Sequence, residues 1–229
     1  MFNLIRINNQ ASDKQIQQLF ISFYGKNLPR SSFISLSSIL VDHRPSLVAY
    51  CDEHQAILKL IKPRKYHEIV KQFWGHSRLF KEVKGNYLLK GLGLNTPNIS
   101  DVAYAFLPSK NFEYLGYYIM EDLSKNNLTE VFETFSNKTS TDAHRLTLLE
   151  NISDGLITMK ENNIVFTDFT LGNVFANDNG DITWIDTGVS KFNKQLDKKF
   201  DQAVKRFIRI HQTLFTNSET AYLTKKLSL

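Results

Sequence analysis

The chain has one cysteine, Cys51, in 229 residues. It therefore excludes an intrachain disulfide and a cysteine-rich zinc site. Its six histidines show neither H-E-x-x-H nor any paired ligand spacing, so zinc is not expected. A G-x-S-x-G elbow is missing, which leaves a serine hydrolase without support. No apolar run approaches the length of a membrane span, and the opening MFNLIRINNQASDKQ lacks the apolar core and cleavage site of a signal peptide. Proline is absent after Pro108. Apolar residues make up 42% and charged residues 22%, the balance of an ordinary folded domain rather than of a disordered chain. The expectation is a folded, cytosolic protein.

Charge is unevenly placed. The chain carries +5, yet Val189–Leu229 holds nine Lys or Arg against three acids, a net +6, leaving about −1 for everything before it. Such a stretch suits an anionic substrate, an anionic lipid surface or nucleic acid, and equally a solvated helix face.

The patterning changes along the chain. After an N-terminal stretch of helical character, residues 33–62 read as strands: SFISLSSILV, SLVAYC and QAILKLI, broken at Asp42–Pro45 and Asp52–His54. Residues 66–90 place Ile69, Val70, Phe73, Trp74, Phe80, Val83 and Tyr87 at helical steps, and GLGLNTP supplies a glycine cap at Gly91 or Gly93 with Pro97 beyond. VAYAFL (102–107) and YLGYYIM (114–120) read as a hairpin. A helix follows with Ala143, Leu146, Leu149, Ile152, Leu156 and Met159 on one stripe and Ser140 or Thr141 as its N-cap. Then come NIVF (163–166), a loop, NVFA (173–176), an Asn-Asp-Asn-Gly turn, DITWID (181–186), and a last helix around Lys199–Leu214. This is a two-lobed α+β plan, with a lobe over 1–120, another over 121–229, and a cleft between lobes as the natural ligand site.

The chemistry-bearing stretch is NIVFTDFTLGNVFANDNGDITWIDTG, residues 163–188. Asp168 is followed five residues later by Asn173, then thirteen later by Asp186, with Gly188 two beyond. This resembles the D-x-x-x-x-N and D-x-G motifs of the protein-kinase-like superfamily. The resemblance implies a kinase-like fold with a small β-rich N-lobe and a reduced helical C-lobe, and ATP with Mg²⁺ as its ligands. It gives Asp168 the role of catalytic base, and Asn173 and Asp186 the role of metal ligands, their oxygens suiting a hard cation. The strand AILK ends at Lys59, which resembles the lysine that contacts nucleotide phosphates. Its glutamate partner is expected at Glu82, with Glu68 as the alternate. Backbone groups near Glu121 and Leu123, in YYIMEDLS, are the implied adenine contacts.

Among such kinases the chain most resembles the bacterial lipopolysaccharide core (heptose or Kdo) kinases. LKLIKPRK, SRLFKEVKGNYLLKGLGLNTP and the 41 residues that follow Gly188 carry that likeness. It implies phosphorylation of a sugar hydroxyl on an anionic glycolipid or sugar acceptor, with the basic tail meeting that acceptor or the inner membrane surface; nucleic acid is not expected as a partner. Asp201 resembles the helix aspartate that holds the catalytic loop. The departures are specific. Phe166-Thr167-Asp168 replaces His-x-Asp, Asp186-Thr187-Gly188 replaces D-F-G, and no G-x-G-x-x-G joins the first strands, so that VDHRPS (41–46) or its surroundings would form the phosphate lid. A kinase for a protein or another small molecule, or a pseudokinase that binds without turnover, are the alternatives.

Overall fold

The computed structural model describes residues 4–8, 37–43, 46–51, 56–105, 115–137 and 140–228. The protein is α+β, with antiparallel sheets and, among the described residues, six α-helices. Two compact units emerge: Met1–Phe80 with Asn98–Asp122, and Lys81–Pro97 with Leu123–Leu229. The chain passes between them at 80/81, 97/98 and 122/123; the last lies next to the expected 120/121 boundary, while Lys81–Pro97 goes with the C-terminal unit. Among the described residues no helix is long and apolar enough to cross a membrane.

The first unit holds a six-stranded sheet. Its strands are β1 (Leu4–Asn8), β2 (Ser37–His43), β3 (Ser46–Cys51), β4 (Ala56–Ile61), β5 (Ile99–Ala105) and β6 (Gly116–Glu121), in the order β1-β5-β6-β4-β3-β2. Every neighbouring pair is antiparallel. The start of the N-terminal stretch is therefore strand rather than helix. Ile5 is β-branched, as is Ile7, and the segment pairs Ile5 with Tyr104 along an edge. Residues 9–36 lie outside the described residues. β4 is central and buried on both faces, and AILKLI is apolar at every position except Lys59. His43 pairs with Ser46. Arg44 and Pro45, the rest of the expected lid, lie outside the described residues.

The expected 66–90 helix is two helices, α1 (Tyr66–Phe73) and α2 (Arg78–Gly91). Gly75, at φ +65°, breaks it, its N–H donating to the Gln72 carbonyl. At the end of α2 it is Gly93, at φ +79°, that takes the left-handed position, while the Leu94 N–H returns to the Leu89 carbonyl.

The second unit packs α3 (Val131–Ser136), α4 (Asp142–Glu161), α5 (Leu196–Ile210) and α6 (Asn217–Lys226) around one apolar core that includes Leu149, Ile152, Phe169, Trp184 and Phe207. Small strands complete it. β9 (Val174–Ala176) lies between β7 (Thr129–Glu130) and β10 (Ile182–Trp184), and β8 (Ile164–Val165) pairs with β11 (Ser190–Lys191). Thr141 caps α4 as expected, accepting from the His144 N–H, and Leu149, Ile152, Leu156 and Met159 of the expected stripe are buried, while its first turn differs. Ala143 and Leu146 face solvent, whereas Arg145 and Leu148 are buried. Arg145 turns inward because Glu219, the Phe135 carbonyl and the Leu214 carbonyl satisfy its guanidinium. The last expected helix starts earlier and stops earlier than Lys199–Leu214, and α6 follows it.

Candidate active site

Local chemistry builds the site in the second unit from a loop, a hairpin and a helix. After β8 the chain turns at Thr167-Asp168, and Phe166 takes an aromatic core position, 2% exposed, with its ring 5.6 Å from Phe169 and 6.4 Å from Trp184. The short 3₁₀ turn Leu171–Asn173 then leads into β9. In the Asn177–Gly180 turn, Asn177 Oδ1 accepts the N–H groups of Asn179 and Asp181, and Gly180 sits at φ +86°. The returning β10 pairs Trp184 with Val174, and the Ile185 N–H donates to the Asn173 carbonyl at 2.9 Å. Asn173 and Asp186 therefore emerge at one end of one hairpin.

Asp186 is half-buried and left-handed, at φ +50°. Aspartate tolerates this conformation better than most residues, and such backbone outliers concentrate at functional sites. Two tight turns follow, with the Gly188 N–H donating to the Asp186 carbonyl and the Val189 N–H to the Thr187 carbonyl. Thr187, in the middle position of D-x-G, is buried, and its hydroxyl donates to the Glu82 carbonyl at 2.9 Å. Gly85, one turn further along α2, packs so closely on the Thr187 carbonyl that a Cβ there would overlap it. The helix carrying Glu82 and the turn carrying Asp186 are thus joined by a hydrogen bond and a glycine contact.

Asn173 Oδ1 accepts the Thr170 hydroxyl at 3.0 Å, which fixes the amide and leaves its oxygen a second lone pair. Asp168 is exposed, and Arg206 on α5 donates from Nη1 both to Asp168 Oδ1, at 2.8 Å, and to the Thr167 carbonyl, at 3.0 Å. Nearby, the Leu171 N–H donates to His211 Nε2 at 3.1 Å, which requires a neutral ring. Burial holds the His211 pKa below the usual imidazole value. Arg206 and His211 therefore tether the loop from α5 and just beyond it. Asp201, given that role by resemblance, is a half-exposed residue of the same helix.

The remaining expected residues are distributed as follows. Lys59 is buried on β4, between Val48 and Tyr118 on the flanking strands, its Nζ 5.9 Å from the Tyr118 ring centroid. Glu82 is buried on α2. Glu68, the alternate, serves its own helix: Oε2 accepts the Arg64 N–H at 3.0 Å. Glu121 closes β6, its carboxylate accepting from the Asn98 N–H and side-chain amide while its own N–H donates to the Asn98 carbonyl. Leu123 is buried and opens the 3₁₀ turn Leu123–Asn126. Lys59, Glu68 and Glu121 belong to the first unit, and Glu82, Leu123, Asp168, Asn173 and Asp186 to the second.

Sequence reasoning missed three functional candidates. Arg206 was grouped with the solvated basic tail, and nothing local in KKFDQAVKRF marks it as Asp168's partner. His211 lies just past α5 with no motif around it. Lys81, beside Glu82, is half-buried; burial lowers its pKa, and the charges of Asp168 and Glu82 push it back up. Among the described residues no group of three His, Cys, Asp or Glu side chains gathers into a metal cluster. One carboxylate and one amide oxygen are what Asp186 and Asn173 offer. No family model matches the chain, and no curated protein is significantly similar to it.

Proposed function

We propose that this protein is a kinase-fold phosphotransferase that uses ATP and Mg²⁺ to phosphorylate an alcohol. The observation that carries the reading is the joint presentation of Asp168, Asn173 and a left-handed Asp186 by one loop and one hairpin, with the helix of Glu82 fastened to the Asp186 turn. In this reading Asp168 accepts the proton of the attacking hydroxyl, and its exposure leaves it open to a bulky acceptor. Asn173 and Asp186 fit Mg²⁺, which takes few protein oxygens and fills its shell with phosphate and water; bound there, it would neutralise phosphate charge. Lys59 binds phosphate, Glu82 positions Lys59, and the backbone near Glu121 and Leu123 receives the adenine.

The acceptor we favour is a sugar hydroxyl of an anionic glycolipid, the lipopolysaccharide inner core, met at the inner membrane surface. Support comes from the exposed cations of the tail: Lys194 and Lys198, with Lys205 one helical stretch beyond, face solvent. Other tail cations are occupied, since Arg206 holds Asp168 and Lys226 pairs with Asp154 at 2.8 Å.

The test is Mg²⁺-dependent ATP turnover by the wild type, Asp168→Asn and Asp186→Asn. The expected result is turnover lost in both variants, with MgATP binding kept in Asp168→Asn. Wild-type rates in Asp186→Asn would remove it from the site. Loss of phosphate from the lipid A–core of cells lacking the gene would identify the glycan acceptor, and an unchanged mass would eliminate it. A second reading, a pseudokinase that binds without turnover, draws on the Arg206 bond that already occupies Asp168 Oδ1. It predicts a thermal shift with nucleotide and no ADP formed.

A further inference from the structure

A transferring phosphoryl group spreads negative charge over its equatorial oxygens, and enzymes meet that charge with fixed cations. The loop between Asp168 and Asn173 reads Phe169-Thr170-Leu171-Gly172 and supplies none. Arg206 is committed to Asp168 and the Thr167 carbonyl. That leaves Lys81. It sits half-buried on α2, whose next residue accepts the Thr187 hydroxyl on its carbonyl, and Gly85 holds the same helix against the turn after Asp186. Among the described residues no hydrogen bond or contact ion pair engages its ammonium group. The carboxylates whose charges reach it are Asp168 and Glu82. For a lysine taken partly out of water, with no bonded partner among the described residues, an anion brought beside it is stabilising.

We propose that Lys81 is a catalytic cation that contacts the transferring phosphoryl group beside Asp168, an inference that rests on the phosphotransferase reading. In the step it serves, the acceptor oxygen forms a bond to the terminal phosphorus of ATP. The bond from that phosphorus to the bridging oxygen breaks, its electron pair leaving on ADP, and the hydroxyl proton passes to Asp168. Lys81 neither gives nor takes a proton. Its charge opposes the charge that grows on the phosphoryl oxygens, so it acts on rate more than on ground-state binding.

The experiment combines lysine acetylation, read residue by residue by mass spectrometry, with kinetics. In the wild type, MgATP protects Lys81 from acetic anhydride, adenosine does not, and exposed Lys84 on the same helix labels equally throughout. Lys81→Gln lowers kcat about 100-fold, the effect of removing one fixed donor from a transition state, with MgATP affinity little changed. Lys81→Arg, which keeps the charge, recovers part of the rate and guards against misfolding as the cause. Should MgATP bind the wild type, by thermal shift, without protecting Lys81, and Lys81→Gln turn over at the wild-type rate, the assignment of Lys81 is wrong and the phosphotransferase reading stands. Should the wild type neither bind nor turn over MgATP, that reading fails and the proposal fails with it.

Discussion

Arg206 Nη1 lies 2.8 Å from Asp168 Oδ1 and 3.0 Å from the Thr167 carbonyl, so one guanidinium grips both the candidate base and the backbone before it. Both bonds leave one nitrogen, so a lysine ammonium, which also carries several N–H groups, can make part of the same contact. In the proposed reaction Arg206 touches no reacting atom and acts as a positioning residue. Arg206→Ala is expected to lower kcat by up to about 100-fold, the scale of a misplaced catalytic group, while KM for MgATP stays near wild type. Stability should change little, because partly exposed ion pairs contribute only about 0–1 kcal/mol. Arg206→Lys should rescue part of kcat. A large KM effect with kcat intact would assign Arg206 to substrate binding instead.

Two glycines make a paired test of the turn after Asp186. Gly85 lies inside α2, where alanine ordinarily stabilises a helix by about 1 kcal/mol. Here its Cβ would overlap the Thr187 carbonyl, so Gly85→Ala should reverse that sign, costing about 1–3 kcal/mol as an overpacked site does, and weaken the MgATP thermal shift by displacing the turn. Gly188, within the D-x-G motif itself, has only the Asp186 carbonyl near a built Cβ, at 3.7 Å, in ordinary contact. Gly188→Ala should melt within about 0.5 kcal/mol of wild type, as substitutions away from special features do. A tolerated Gly85→Ala would mean that α2 moves away from the turn without cost.

These contrasts show what the sequence made legible. The hairpin at 173–186 was readable because Asn-Asp-Asn-Gly announces its own turn and flanking β-branched and aromatic residues alternate around it. β4 is readable as a strand because an apolar run follows the break at Asp52–His54. On α4 the stripe from Leu149 to Met159 is legible in the same way, and its first turn is not. Periodicity ranks Leu146 above Arg145, and only Glu219, seventy-four residues away, makes the arginine the buried one. The break at Gly75 hid in an otherwise helical pattern, although a glycine after Trp74 was signal enough to place it. α6 was overlooked despite Thr216-x-x-Glu219, a capping box that the fold uses, with both reciprocal bonds formed. Arg206 and Lys81 lie beyond any such rule, because their meaning depends on which elements face Asp168 in space.

His211 links the Asp168–Asn173 loop to pH. Its Nε2 accepts the Leu171 N–H only while the ring is neutral, and burial depresses its folded pKa below the ordinary 6.5. As pH falls, the unfolded chain takes up the proton first. The stability that His211 contributes is therefore full above about pH 6.5, the unfolded value, and is lost as pH falls toward and through the folded value. Thermal melts across this window should show a slope that His211→Gln flattens, since a glutamine oxygen can accept the same N–H without titrating. Turnover should fall on the same acidic limb if loop position matters to rate. An unchanged slope in His211→Gln would assign the acid loss to other groups.

Arg145 and Glu219 hold the C-terminal helix to the rest of its unit. Arg145 Nε donates to Glu219 Oε1 at 2.7 Å, Nη2 to Glu219 Oε2 at 2.9 Å and to the Leu214 carbonyl at 2.7 Å, and Nη1 to the Phe135 carbonyl at 3.1 Å. The guanidinium also lies 4.3 Å from the centre of the Phe135 ring. Burial by itself would raise the Glu219 pKa, but the Arg145 bonds, with help from the Thr216 N–H, bring it below the usual carboxyl value. Glu219 thus contributes stability above the unfolded carboxyl pKa that is lost as pH falls through the folded one. Arg145→Met fills the space yet strands a buried carboxylate and two carbonyls, and should cost about 3–5 kcal/mol in urea unfolding. Adding Glu219→Gln should recover part of that loss, because the second change removes the stranded charge; the double variant must then lie above the sum of the singles. If Arg145→Met unfolds within about 1 kcal/mol of wild type, the pair behaves as a solvent-screened surface bridge and does not anchor α6.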